Sequence, residues 1–227
     1  MSPTKNKNVD FSKIKVIGFD LDQTLYPKSP EIDQAIQIYL YREISKFLNI
    51  KTEKAKRLFS NIYKNGKGLS GSKTLIKLGF SEGRARNMVQ EALENANIAN
   101  FLEPNKEVED LLEKLKSKYV SLDILTGSNT KNALLKIAHL KIPTNTFSHI
   151  LTADHASKSD LSLYQMWLDL YPQLKPENFL YIGDRVLSDF EKPKELRIRS
   201  ILVNINEPDL KIDCLQLKSL VEIENYL

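Results

Sequence analysis

Two carboxylates and a hydroxyl follow the first apolar run of the chain, where residues 15–19 are succeeded by Asp20, Asp22 and Thr24. Open α/β sheets bind their ligands at the carboxyl ends of their strands, and this acidic pair lies there if the apolar run is a strand. Unpaired charge is costly in such a place, so a bound cation or a phosphoryl-binding role is its natural compensation. Capping of a helix after a turn is the structural alternative for these residue types.

A second polar segment, Thr126, Gly127 and Ser128, comes after the apolar run 120–125. Thr126 offers a hydroxyl, and the next two residues offer backbone N–H groups near a predicted helix N-terminus, which favours anions. Because the same residue types are common at strand–turn–helix junctions, this segment alone has low specificity.

Lys158 lies in a third polar segment, just before another predicted helix. An ammonium group at a helix start opposes the helix dipole, so an offsetting anion is expected there. Lys158 suits a phosphate ligand that stabilises negative charge. A solvated surface lysine with no further role is the alternative.

The fourth segment begins where the apolar run 179–182 ends at Gly183, and it carries Asp184, Arg185 and Asp189. Glycine permits a tight turn after the strand. Two further carboxylates are hard oxygen ligands, which suit Mg²⁺ better than zinc or copper. The segment therefore predicts a magnesium site.

Short apolar runs alternate with longer amphipathic stretches, which is the pattern of βαβ units. Crossovers of this length favour a parallel sheet covered by helices on both faces, so the sequence predicts an α/β fold. The predicted strands are 15–19, 120–125, 149–151, 179–182 and 201–203, and the predicted helices among them are 107–118, 130–139, 161–170 and 190–196.

Local signals refine this outline. Asn105 and Asn129 are predicted N-caps, and Trp167 lies on the apolar face of its predicted helix, which indicates a core position. Near the end of the chain, a group of apolar residues predicts a packing helix, with dimerisation as the second choice. This group comprises Leu215, Leu217, Leu220, Val221 and Ile223.

Only helical periodicity is found between the first and second predicted strands. This predicts an inserted helical domain over residues 30–101, while 13–29 and 102–227 form the α/β core. The polar segment 1–12 is expected to be a flexible tail.

The formal charge of +4 is the small difference between 33 basic and 29 acidic residues, and the basic residues are scattered. We therefore expect no nucleic acid polymer as partner. No apolar run approaches a membrane span, so no membrane partner is expected. The single cysteine, Cys214, suits a reducing compartment and indicates a packed thiol. These features predict a cytoplasmic protein that is a monomer or homodimer.

Taken together, DLDQT at 20–24, Thr126, Lys158 and GDRVLSD at 183–189 resemble the haloacid dehalogenase-like (HAD) hydrolase superfamily. The four motifs stand in that superfamily's order and span nearly the whole chain. The resemblance implies a Rossmann-like core, and the helical insert resembles the superfamily's type I cap. More loosely, FDLDQTLYP and the following helical block resemble the pyrimidine 5′-nucleotidase-like phosphatases.

The resemblance implies a role for each acid. Asp20 would be the nucleophile that forms an aspartyl-phosphate, and Asp22 would be the general acid and base. Mg²⁺ would be held by the Asp20 carboxylate, the Asp22 main-chain carbonyl and Asp184, with support from Asp189. A carboxylate attacks a phosphate dianion only where positive charge cancels their repulsion, which agrees with this assignment.

The phosphoryl oxygens would be held by Thr126, the Gly127 amide and Lys158, again on the resemblance. The lysine segment departs from the family pattern, because Ser159 follows Lys158 where relatives commonly have proline. Arg185 is another uncommon residue, which would either touch substrate or pair with an acid.

The second acid of the first motif separates two activities of the superfamily. Its dehalogenases resemble D-x-Y rather than D-x-D, so Asp22 favours hydrolysis of phosphate esters. The expected substrate is a small phosphorylated metabolite, in particular a nucleoside 5′-monophosphate. A phosphomutase and a non-catalytic binding protein with the same fold are the alternatives.

The turn between residues 63 and 73 is the candidate specificity segment of the helical insert. We expect Lys67 or Lys73 to meet a substrate anion and Tyr63 to stack on a base. Ordinary exposed residues on a helix connection are the alternative.

Overall fold

The computed structural model describes residues 10–27, 29–65, 69–96, 98–209 and 211–227. The chain divides into two compact units, one made of Met1–Lys28 and Glu103–Leu227 and the other of Ser29–Leu102. Residues 1–9 of the predicted tail 1–12 lie outside the described residues, and Phe11, within the tail as predicted, is buried. No helix within the described ranges is long and apolar enough to cross a membrane.

The first unit is built on a parallel sheet with the order β3-β2-β1-β4-β5-β6, which confirms the predicted Rossmann-like α/β fold. The chain builds outward from β1 in one direction through β2 and β3, and then in the other through β4. The switch point of the topology is therefore between β1 and β4. The strands are β1 Val16–Phe19, β2 Ser121–Leu125, β3 His149–Leu151, β4 Phe179–Gly183, β5 Arg199–Leu202 and β6 Leu215–Gln216.

Every residue of β1, β2 and β4 is buried, as expected for central strands covered on both faces. Phe19 is paired with Ile182 across the switch point. The ladder continues one step further, because the Asp20 N–H donates to the Ile182 carbonyl at 2.8 Å. The residues that follow β1 and β4 are therefore held at the same edge of the sheet.

Three helices of the first unit, α5, α6 and α7, begin within one residue of the predicted places. Asn105 accepts from the N–H groups of Glu107 and Val108, and Asn129 accepts from that of Asn132, which confirms both N-caps. The helices are α5 Lys106–Lys118, α6 Thr130–His139, α7 Ser162–Asp169 and α8 Lys192–Glu195. A π-helical turn, Val186–Glu191, precedes α8 and takes the place of the first residues of the predicted helix 190–196.

The prediction of a packing helix near the end of the chain is wrong. Leu215–Gln216 is the edge strand β6, which pairs with β5, and Leu220–Asn225 forms a 3₁₀ helix. Leu215 and Leu217 are both buried, two positions apart, so the segment has the period of a strand rather than a helix. Its core-packing role is nevertheless confirmed, since Leu220 and Ile223 are also buried.

Trp167 lies at the centre of the core on one side of the sheet and is fully buried, as predicted. Its indole Nε1–H donates to Asp123 Oδ2 at 2.8 Å, and the Tyr171 hydroxyl donates to the same oxygen at 2.7 Å. Asp123 also accepts from the His149 N–H. A buried carboxylate costs little when it is hydrogen-bonded in this way.

The second unit consists of helices among its described residues. They pack around a core that includes Leu40, Ile44, Phe59, Leu75 and Met88. Ser29, Ser70 and Ser81 each cap a helix by accepting a backbone N–H. The helices are α1 Pro30–Leu48, α2 Thr52–Asn65, α3 Gly71–Lys77 and α4 Glu82–Asn95, followed by a 3₁₀ turn, Ile98–Phe101.

Gly18→Ala is expected to destabilise the core, because a Cβ at position 18 would lie 2.7 Å from two atoms of the Trp167 ring. Overpacking of this kind costs about 1–3 kcal/mol of unfolding free energy. Urea unfolding measures the loss. Gly83→Ala is the matched control, since a Cβ there meets nothing within 4 Å. Equal stability of the two variants would contradict the prediction.

Candidate active site

The candidate site lies at the switch point of the sheet. Asp20 follows β1 and Asp184 follows β4, so adjacent strands deliver both carboxylates to the same edge. The Asp20 residue is only 6% exposed, and the Asp184 side chain is 7% exposed. The structure thus brings together two acids that are far apart in the sequence.

Asp189 completes a cluster of three acids. One carboxylate oxygen from each of Asp20, Asp184 and Asp189 lies within 4.8 Å of the others. Asp189 is fully buried, and its Oδ2 accepts from the N–H groups of Asp184 and Arg185 at 3.1 and 3.0 Å. Asp189 therefore holds the loop that carries Asp184.

The turn around Asp189 requires glycine at position 183. A Cβ on Gly183 would lie 2.4 Å from the Asp189 side chain. The π-helical turn Val186–Glu191 sets this close approach, with the Asp189 N–H donating to the Arg185 carbonyl at 2.8 Å. π-helical turns of this type are frequent at functional sites.

Lys158 is the cation of this cluster. Its Nζ lies 2.9 Å from Asp20 Oδ1 and 2.8 Å from Asp189 Oδ1, and its side chain is 10% exposed. It also lies 5.1 Å from the centre of the Tyr181 ring. The solvated alternative for this lysine is therefore wrong, and the ammonium group bridges two of the three acids.

One ammonium group does not balance three carboxylates. Burial raises the pKa of Asp20 to about 6, against the opposing effect of Lys158, and Asp189 raises it further. Burial, followed by the charge of Asp20, raises the pKa of Asp184 to about 7. The cluster therefore holds more negative charge than its cation offsets.

Asp184 Oδ1 is buried and has no hydrogen-bond partner within the part of the chain that the structure describes. The Nε of Arg185 lies 3.9 Å from it, on a side chain that is 46% exposed. A buried carboxylate oxygen without a partner, beside two further carboxylates, fits a hard divalent cation such as Mg²⁺. The residues present thus suit the predicted metal.

Asp22 has a different environment, although it stands two positions from Asp20. Its Oδ1 accepts from the Tyr26 hydroxyl and from Lys136 Nζ, both at 2.5 Å, and its Oδ2 accepts from Ser128 Oγ at 2.8 Å. Burial alone would raise its pKa, but the charge of Lys136 and the three hydrogen bonds outweigh burial and lower it to about 2. Asp22 is therefore held as a carboxylate.

Lys136, which is 2% exposed, was not predicted as a site residue from the sequence. A signal was available, because Lys136 stands with Ala133, Ile137 and Leu140 at the spacing of one apolar helix face. A lysine on such a face is buried only if it has a partner. Tyr26 was also missed, and no pattern in the sequence points to it.

The second motif contributes a buried hydroxyl and an open backbone. Thr126 is fully buried, and its Oγ1 accepts from the Ser128 N–H at 3.1 Å. A hydroxyl that accepts one hydrogen bond still has a proton to donate. Gly127 is exposed, and a Cβ there would meet nothing within 4 Å, which leaves room beside its backbone.

The predicted specificity segment belongs to the other unit. Lys73 is exposed on α3, and its N–H donates to Ser70 Oγ. Tyr63 stacks on Phe59 with ring centroids 5.6 Å apart. Lys67 lies outside the described residues.

Comparison with protein families gives one match over most of the chain. Residues 17–203 match the model of the family described as haloacid dehalogenase-like hydrolase. This confirms the resemblance seen in the four motifs.

A curated relative and two solved structures show similarity over nearly their full lengths. The chain is 29% identical over 197 residues to glyceraldehyde 3-phosphate phosphatase from Methanocaldococcus jannaschii, covering 84% of this chain and 85% of that protein. A HAD phosphatase from Thermococcus onnurineus has a TM-score of 0.67 at 20% identity, covering 93% of this chain and 97% of the other. A putative β-phosphoglucomutase from Thermotoga maritima has a TM-score of 0.63 at 22% identity, with the same coverage.

The only thiol of the chain, Cys214, lies outside these motifs, and burial raises its pKa to about 12. Its alkylation by iodoacetamide is therefore expected to be slow at neutral pH. The rate should rise about tenfold per pH unit through pH 9, because the thiolate fraction grows in this way at any pH well below the pKa. An unperturbed thiol, with a pKa of about 8.5, would instead approach a constant rate near pH 9. Mass spectrometry at several pH values measures the rate. A plateau between pH 8 and 9 would contradict the prediction.

Proposed function

Because this chain belongs to the haloacid dehalogenase-like hydrolases, we propose that it is a phosphomonoesterase that acts on a small phosphorylated metabolite. The observation that carries the proposal is the cluster of Asp20, Asp184 and Asp189 around Lys158 at the switch point. Such a cluster places a carboxylate nucleophile next to an ammonium group and next to oxygens that can hold a cation, and both offset negative charge.

Mg²⁺ is the proposed cofactor, held by the carboxylates of Asp20 and Asp184 and the main-chain carbonyl of Asp22. Asp189 supports it by fixing the Asp184 loop through its two backbone hydrogen bonds. When bound, the metal supplies positive charge that reduces the repulsion between carboxylate and phosphate. The unpartnered Asp184 oxygen and the excess of negative charge support this assignment.

Asp20 is the proposed nucleophile. In the first step an oxygen of Asp20 forms a bond to phosphorus while the bond from phosphorus to the ester oxygen breaks. The leaving oxygen takes a proton from Asp22. In the second step water attacks phosphorus, gives a proton back to Asp22, and releases phosphate from Asp20. Lys158 keeps Asp20 oriented through their contact at 2.9 Å.

Asp22 is the proposed acid and base, and it is ionised before substrate arrives because Lys136 stabilises its charged form. The proton that it later donates comes from the phosphate monoester, which binds as its monoanion (second pKa about 6) and passes this proton to Asp22. Its side chain is 27% exposed, which supports access to the leaving oxygen and to water. Thr126, the Gly127 amide and Lys158 are the proposed ligands of the phosphoryl oxygens.

Two substrate classes are proposed for this site. A phosphorylated aldehyde or sugar is supported by the relative named glyceraldehyde 3-phosphate phosphatase. A nucleoside 5′-monophosphate is the class predicted from the sequence. Arg185 is the proposed contact to a substrate anion, since its side chain is half exposed next to Asp184. Lys67 and Lys73 are the proposed contacts from the helical unit.

A phosphomutase is the second candidate, favoured by the likeness to a putative β-phosphoglucomutase. It would return the phosphoryl group from Asp20 to another hydroxyl of the substrate instead of to water. Incubation with a sugar monophosphate separates the two, because a mutase produces an isomer without free phosphate.

Asp20→Asn is expected to lower phosphate release by at least about 10³-fold, because an amide cannot form the covalent intermediate. The measurement is phosphate released from a panel of sugar, aldehyde and nucleoside monophosphates. Asp110→Asn is the control, as Asp110 is exposed on α5 and forms a surface ion pair with Lys106. Activity that survives Asp20→Asn would overturn the proposed nucleophile.

Lys73→Ala and Lys67→Ala are expected to change the relative rates across the same panel of substrates. An unchanged substrate profile for both variants would overturn the proposed contacts from the helical unit.

Mg²⁺ is expected to raise the melting temperature of the wild-type chain, because it binds the folded state and offsets repulsion among the three acids. Asp184→Asn should reduce the rise to less than half, while Asp110→Asn should leave it unchanged. Thermal unfolding with EDTA and with Mg²⁺ gives the comparison. A wild-type melting temperature that is indifferent to Mg²⁺, with phosphate release that survives EDTA, would contradict the metal assignment.

A further inference from the structure

A fully buried lysine in the first unit has no role in the mechanism above beyond its charge. Lys136 lies in the last turn of α6, and its side chain is 3% exposed. Lysine is almost never buried to this degree without a specific partner. Helical side chains point back toward the helix N-terminus. The ammonium group of Lys136 is therefore directed toward the N-terminal end of α6, which directly follows the second motif.

The ammonium group there contacts two residues of different motifs. Lys136 Nζ donates to Asp22 Oδ1 at 2.5 Å and to Ser128 Oγ at 2.8 Å. An ammonium group only donates, so Ser128 Oγ accepts from it and directs its own single proton elsewhere. That proton goes to Asp22 Oδ2 at 2.8 Å.

Both oxygens of Asp22 are consequently held by donors on different elements. Lys136 and Tyr26 hold Oδ1, and Ser128 holds Oδ2. Two-point fixation of a carboxylate removes its freedom to rotate about the bond to its Cβ. Loss of Lys136 releases one of these contacts and also leaves the direction of the Ser128 proton undefined.

We propose that Lys136 is a positioning residue, which fixes the Asp22 carboxylate both directly and through Ser128 so that it faces the leaving oxygen of the substrate. The inference rests on the proposed function, because it assigns Asp22 to the leaving group. A purely structural lysine would support the fold without distinguishing one leaving group from another. Leaving-group sensitivity is therefore the property that separates the two roles.

The test compares Lys136→Met with the wild type on two phosphate monoesters. Hydrolysis of glycerol phosphate releases glycerol, which leaves as a poor alkoxide leaving group unless a positioned donor protonates it. Hydrolysis of 4-nitrophenyl phosphate releases 4-nitrophenolate, which is stable without a proton. We expect kcat to fall about 100-fold on glycerol phosphate and less than about threefold on 4-nitrophenyl phosphate, with KM nearly unchanged. Lys136→Arg, which can still donate to both partners, should recover most of the loss.

A double variant tests whether Lys136 acts through Asp22. Asp22→Asn with Lys136→Met should lose no more activity on glycerol phosphate than Asp22→Asn alone, since both remove the same step. Lys141→Met is the control, because Lys141 is exposed just after α6. It is expected to keep the wild-type ratio of the two rates.

Equal loss on both esters, a change in KM alone, or no change in Lys136→Met would overturn the inference. Circular dichroism establishes that the variant folds. If it does not, Ser128→Ala carries the same comparison, and a loss on glycerol phosphate no greater than on 4-nitrophenyl phosphate overturns the inference. If the wild type is inactive on glycerol phosphate but releases phosphate from an alkyl phosphate of the panel, that ester takes its place in the comparison. If the wild type releases no phosphate from any ester of the panel, the proposed function fails and the inference with it. If the wild type is active and Asp20→Asn is inactive, an unselective Lys136 variant contradicts the inference alone.

Discussion

Concentrated negative charge at one edge of the sheet is the constraint around which this molecule is arranged. Asp20, Asp184 and Asp189 lie so close together that Lys158 alone does not compensate them. Their repulsion and burial destabilise the charged forms, as the raised pKa values of Asp20 and Asp184 indicate. A fold tolerates such a cluster where a ligand supplies the missing positive charge, and this links the stability of the site to its proposed chemistry.

Only one residue separates Asp20 from Asp22 in the same loop, yet their neighbours shift the pKa values of the two acids in opposite directions. Asp20 faces other carboxylates, whereas Asp22 faces Lys136, Tyr26 and Ser128, which hold its pKa at about 2. Divergent environments for paired acids are a common way for one site to provide distinct roles. The proposed division into nucleophile and proton carrier depends on this difference rather than on residue type.

The core positions the site through register. Pairing of Phe19 with Ile182 brings the ends of β1 and β4 level, so the loops after them meet. Below this edge, the Trp167 ring packs against Gly18 and leaves no space for a side chain at position 18. The same ring donates a hydrogen bond to the buried Asp123. Dense packing of this kind limits the movement of the strand ends, and a site built there is held rigidly.

The family, the acids at the strand ends and the order of the first five strands with the helices among them could be predicted from the sequence, because these depend on local periodicity and on short motifs. The partners of those acids were decided only by the tertiary structure. Asp20 and Lys158 are 138 positions apart, and Asp22 and Lys136 are 114 apart. The position of Lys136 on an apolar helix face indicates from the sequence that it is buried. Nothing in the sequence identifies Asp22 as its partner. The edge strand at Leu215–Gln216 likewise forms because β5 offers it a free edge, which no local pattern reveals.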